Sequence, residues 1–143
     1  MKMGISGKKV TVRVSTRGHH HHRSYGDIEA LIKKSSLKNS VKERSLDIFL
    51  RIAKAEAKVH RKSVEDIHFH EVGAIDSLVD IVGSVIGIDY LVAEAFSAPS
   101  LPLGHGFVKC AHGTLPLPAP ATLLLLKGVP VHDTGIQGEL VTP

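Results

Sequence analysis

The chain has 143 residues, 43% hydrophobic and 22% charged, which is enough apolar material for one domain with a core and excludes disorder throughout. Its single cysteine, Cys110, excludes an intrachain disulfide and fits a reducing, cytoplasmic setting, while the opening MKMGISGKKV lacks the apolar run of a secretory signal. The net charge of +4 is uneven: residues 1–66 carry 16 Lys/Arg against 7 Asp/Glu, and residues 67–143 carry 2 against 7. A basic first half suits nucleic acid, an anionic lipid surface, a phosphorylated small molecule or simply a solvated helix face, and charge alone does not choose among them. With aromatics at 4% and no Trp, the stacking surfaces of nucleic-acid binders are missing, and the most apolar stretch is broken by Asp76, Asp80, Asp89 and Glu94, so neither nucleic acid nor membrane is expected as a partner.

Val10, Val12 and Val14 alternate with polar residues and predict a strand over Lys8–Val14. An exposed His-rich loop over 17–26 follows, then a short helix from Asp27 with Ile28, Leu31 and Ile32 on one face. Ser40 and Glu43 have the spacing of a capping box, predicting a helix from Val41 to about His60 with Leu46, Phe49, Leu50, Ala53 and Ala57 as its apolar stripe. Ser63 opens a turn. A strand end at His68–His70 leads to a helix from about Ala74, whose Ile75, Leu78, Val79, Val82, Val85 and Ile86 cover so much circumference that it should be mostly buried, with Gly83 and Gly87 admitting a close neighbour. Ala93–Ser97 and Gly106–Ala111 read as strands flanking a Pro/Gly-rich loop. Pro118 and Pro120 open a short buried helix closed by Gly128, and Val129–His132 suggests a last strand. Interleaved strands and helices without an internal repeat imply α/β or α+β, a mixed sheet with flanking helices, in a single domain.

Three groups of residues could do chemistry. His19, His20, His21 and His22 offer several imidazoles to nickel, zinc or copper from a loop, the alternative being a tag remnant or a polar loop that binds metal incidentally. His68, His70, Glu71, Asp76 and Asp80 form a second group, the two aspartates four residues apart on one helix face. A buried Asp80 would be costly unless used; the plainer reading has Asp76 capping the helix and Asp80 paired with a base. In the third, a strand would point Cys110 and His112 to one face as metal ligands or a nucleophile pair, against the alternative of an inert buried thiol. Neither a Gly-x-Gly-x-x-Gly nor a P-loop motif is present.

The runs His70-Glu71-Val72-Gly73-Ala74-Ile75-Asp76-Ser77-Leu78-Val79-Asp80-Ile81-Val82-Gly83, Cys110-Ala111-His112-Gly113-Thr114-Leu115-Pro116-Leu117-Pro118-Ala119-Pro120-Ala121-Thr122 and Gly138-Glu139-Leu140-Val141-Thr142-Pro143 closely resemble the LarC family, as does the His tract leading into Arg23-Ser24-Tyr25-Gly26-Asp27-Ile28. These are nickel-insertion proteins of lactate racemase maturation. The resemblance implies CTP-dependent insertion of Ni(II) into pyridinium-3,5-bisthiocarboxylic acid mononucleotide, giving a pincer cofactor with nickel on two sulfurs and a ring carbon. It further implies that residues 1–143 are a central part of such a protein, the family's N-terminal start and the region for CTP and its divalent cation lying outside. Partners implied are the mononucleotide and the lactate racemase apoprotein; a homo-oligomer is a separate expectation, suggested by the Gly83/Gly87 face. The sites expected are Asp76, Asp80 and Glu71 as catalytic groups, with His19–His22, His70, Cys110 and His112 on the metal. A nickel storage or delivery module, or a metallohydrolase, are the alternative readings.

Overall fold

A computed structural model of the chain describes residues 6–7, 10–13, 23–69, 75–92, 95–110 and 112–143. The longest element is α2, Asn39–His60, and the core forms along one of its sides. Phe49 and Ala53 are wholly buried there, with Val41, Ile52 and Ala57 beside them. Small Ala side chains let neighbours come close, and long Lys and Arg side chains keep the other side in water. Against this face pack Ile28 and Ile32 of α1 (Tyr25–Lys34), Ile67, Phe69 of β2 (His68–Phe69), and Val82 and Val85 of α3 (Ile75–Leu91).

The strands form three two-stranded sheets among the described residues. β1 (Arg23–Ser24) pairs antiparallel with β2, placing Ser24 opposite His68. β3 (Leu101–His105) runs parallel to β6 (Val131–Gln137), and β4 (Phe107–Cys110) forms an antiparallel hairpin with β5 (Gly113–Pro116). The short helix α4, Pro120–Leu125, begins at a proline and joins the hairpin to β6. This is an α/β fold in one compact domain, with strands of mixed orientation distributed over small sheets.

Several sequence expectations are corrected. Val10–Arg13 form no strand, and Val10 is exposed; alternation supplies a face, but a strand also needs a partner for its backbone, and none pairs here among the described residues. Lys8, Lys9 and Val14 lie outside the described residues, as do 17–22 of the expected loop. Its other end, 23–26, is already β1 and the start of α1, because Ser24 caps that helix. In α2 the Ser40–Glu43 capping box does not form: the helix starts at Asn39, the side chain of its N-cap Lys38 makes no capping bond, and Ser40 Oγ instead donates to Asp89 Oδ1 at 3.0 Å.

The largest difference is α3. Only Val82 and Val85 are buried, whereas Val79 and Ile86 are exposed and nothing stands where a Cβ on Gly83 or Gly87 would project. α2 packs against one side of α3, and Val79, Gly83, Ile86 and Gly87 are left exposed. Residues 95–97 are not strand, with 93–94 outside the described set; the expected loop instead carries β3, which Leu101–Leu103 enter by pairing with β6. α4 buries Ala121 and Thr122 but exposes Leu123, so it is covered on one side only. The expected short strand after Gly128 begins at Val131 and extends to Gln137.

Candidate functional site

The C-terminal turn of α2, the strand β2, the first turns of α3, the β4–β5 hairpin, the start of α4 and residues 139–143 enclose a cavity of about 380 Å³. Each wall has a local cause. At the end of α2, Arg61 adopts the left-handed conformation at φ 53° and its N–H bonds Ala57 O, stopping the helix directly after His60. Gly104 of β3 lies against the backbone of Gly138, an approach that a Cβ would block, and the Gly138 N–H bonds His105 O at 3.0 Å. That contact directs the following residues, Glu139 and Thr142 among them, along the cavity.

Polar and apolar groups share the lining. Val59, Phe69, Ile81, Val108, Leu115 and Pro120 are among the apolar lining residues, and His60, His68, Cys110, His112, Glu56, Asp80 and Glu139 line the same cavity. The rings of His60 and His112 are 4.9 Å apart, centroid to centroid, and tilted by 40°. His60 Nε2 also stands 3.5 Å from Glu56 Oε2, one helical turn earlier. Cys110 Sγ lies 3.5 Å from Gly113 O across the hairpin end. Among the described residues, no three His, Cys, Asp or Glu side chains are close enough to enclose one metal ion.

Of the residues selected from the sequence, His68, Asp80, Cys110 and His112 all line this cavity. Asp80 gets there from an exposed position on α3, which corrects the expectation of a buried carboxylate. Cys110 and His112 are not on one continuous strand: Cys110 ends β4 and pairs with Gly113, so His112 belongs to the tight turn between them. The turn, rather than strand alternation, brings the thiol and the imidazole to the same cavity. Asp76 lies in the first turn of α3, where its Oδ1 accepts from the Ser77 N–H at 2.9 Å, and it does not line the cavity. His19, His20, His21, His22, His70 and Glu71 lie outside the described residues.

His60, Glu56 and Glu139 are lining residues the sequence reading did not select. Glu56 and His60 have i,i+4 spacing with the acidic residue first, a signal that could have marked them, but they are embedded in a helix whose charges otherwise read as a solvated face.

The whole chain, residues 1–143, matches the nickel insertion protein family. The chain belongs to that family. It is 53% identical, over all 143 of its residues, to the pyridinium-3,5-bisthiocarboxylic acid mononucleotide nickel insertion protein of Desulfitobacterium hafniense, of which it covers 35%. Relatives from Geotalea daltonii and Dictyoglomus thermophilum, whose names carry nickel insertion as a provisional assignment, are 52% and 44% identical over 99% of the chain and 36% of their own length. The chain thus spans about a third of the length of the curated family members it matches. No solved structure matches it. No helix among the described residues is long and apolar enough to cross a membrane.

Proposed function

We propose that this chain serves nickel insertion into pyridinium-3,5-bisthiocarboxylic acid mononucleotide, with the cavity as the place where the ion meets its acceptor. The observation that carries this reading is the meeting of Cys110, His112 and Asp80 in one partly apolar cavity, in a chain that shares 53% identity with a protein of that name. Thiolate and imidazole donors suit Ni(II), and an acceptor with two sulfurs can take the ion from them by exchanging one donor at a time. Placing nickel on a ring carbon replaces a C–H bond with a C–Ni bond and releases one proton. Asp80, at the cavity edge, is the carboxylate to receive it. His19–His22 recruit the ion; His70 serves as a further metal donor and Glu71 as a further catalytic group; Asp76 steadies the start of α3. CTP and its divalent cation bind outside this segment. The work takes place in the cytoplasm, with the lactate racemase apoprotein as recipient and a homo-oligomer as the assembly.

Nickel transfer by the full-length protein tests this. Asp80→Asn keeps the shape of an exposed side chain and is expected to slow transfer by roughly 10²–10⁴-fold, the usual yield of a positioned acid–base group. Unchanged transfer by a folded variant removes Asp80 from the mechanism. A protein that loses all nickel binding when His19–His22 are deleted is a storage or delivery module instead.

A further inference from the structure

We infer that His60 and His112 together form a two-imidazole landing position for Ni(II), from which the ion passes to the sulfurs of its acceptor. The inference rests on the nickel-insertion reading and names a residue, His60, that no metal-ligand pattern in the sequence selects. The two rings come from different elements, one at the end of α2 and the other in the hairpin turn, yet their centroids are 4.9 Å apart. A ring pair this close and tilted by 40° can direct one nitrogen from each ring toward a shared ion.

Glu56 stands beside His60, one helical turn earlier on α2. Its carboxylate lies 3.5 Å from Nε2. A carboxylate beside one imidazole nitrogen favours turning the other nitrogen toward a metal, as outer partners of metal-binding histidines generally do. Nδ1 is then the atom presented to nickel. The lining has the charge for a cation, since Glu56, Asp80 and Glu139 contribute carboxylates and its described residues include neither Lys nor Arg.

Two imidazoles occupy two positions of a four-coordinate ion, leaving the others for incoming sulfur. Transfer is then ligand exchange: a Ni–S bond forms as each Ni–N bond breaks, nickel stays divalent and the imidazoles end as they began, neutral. Cys110 in the same lining offers one sulfur along the way.

The test is calorimetric titration of the full-length protein with nickel chloride, in a background with His19–His22 replaced by alanine and under reducing conditions. His60→Gln and His112→Gln are each expected to weaken nickel binding at least tenfold. That is the scale on which losing even an outer partner of a metal site is felt. The double variant should lose little more than either single one, because the two rings act as a unit. His112 is exposed in a turn, so its substitution spares the core, and circular dichroism confirms the fold of each variant. Tight binding by the background that is unchanged in His60→Gln overturns the paired site and leaves insertion through Cys110 and Asp80 standing. Absence of nickel binding by the background overturns both.

Discussion

A single hydroxyl decides where the first helix begins. Ser24 Oγ accepts the Asp27 N–H at 3.2 Å, and Asp27 Oδ2 accepts the Ser24 N–H at 2.9 Å, closing a reciprocal cap. The Ser24 backbone bond foremost, and its hydroxyl next, hold the Asp27 carboxyl below its ordinary range. A carboxyl depressed by folding adds stability above its unfolded value, about pH 4, and that contribution disappears as the pH falls through the lower folded value. Ser24→Ala is therefore expected to cost about 1 kcal/mol at neutral pH in a urea titration, with the gap from the parent narrowing below about pH 4. A constant gap down to strong acid would show that the cap acts without its carboxylate. Ser40 has the same local pattern but bonds Asp89, 49 residues away, which Lys38 also meets at 3.1 Å. The Lys38 bond, ahead of the Ser40 bond, lowers the Asp89 carboxyl. Residues 24–27 and 40–43 thus read alike in sequence, and only the approach of α3 tells them apart.

At the scale of elements, the sequence was a good guide to where helices lie and a poor one to how much of each is covered. Spacing located α2 to within two residues of its start, because 22 residues of one-sided apolar pattern leave little choice of conformation. For α3 the apolar residues nearly encircle the helix, and composition alone could not show that α2 packs on one side only. Strands were harder to locate. β3 is built from Leu-Pro-Leu-Gly-His, a loop composition by every local rule, and is held as a strand by β6 about thirty residues later. One-sided packing of α3 has a measurable consequence. Val82→Ala should cost about 1–2 kcal/mol, at roughly 0.8 kcal/mol per buried methylene, and Val79→Ala less than half of that. Phe49→Ala, at the centre of the core, should cost about 3–5 kcal/mol. Denaturant midpoints give all three, and equal losses at Val82 and Val79 would mean that both sides of α3 are covered in solution.

For the molecule as a whole, the cavity joins segments from Glu56 to Pro143, and this long-range assembly limited what the sequence could show of the site. Cys110, His112 and Asp80 were legible because each belongs to a conspicuous local motif; His60 was not, because only the fold sets the hairpin turn against the end of α2. The proposed nickel position in this assembly predicts that nickel is a stabilising ligand. An ion held between α2 and the hairpin binds the folded protein and not the separated walls, so at a hundredfold excess over its dissociation constant it adds about 2.7 kcal/mol. In a domain of this size that corresponds to a rise of roughly 5–10 °C in the thermal midpoint. The rise should persist in the full-length protein after His19–His22 are replaced by alanine, and reverse on adding a chelator. It should also shrink in His112→Gln, since that turn is one of the two walls the ion would join. A rise that requires the His run and ignores His112 would place the bound ion in that run, and the cavity would then have to wait for its metal until the acceptor itself arrived.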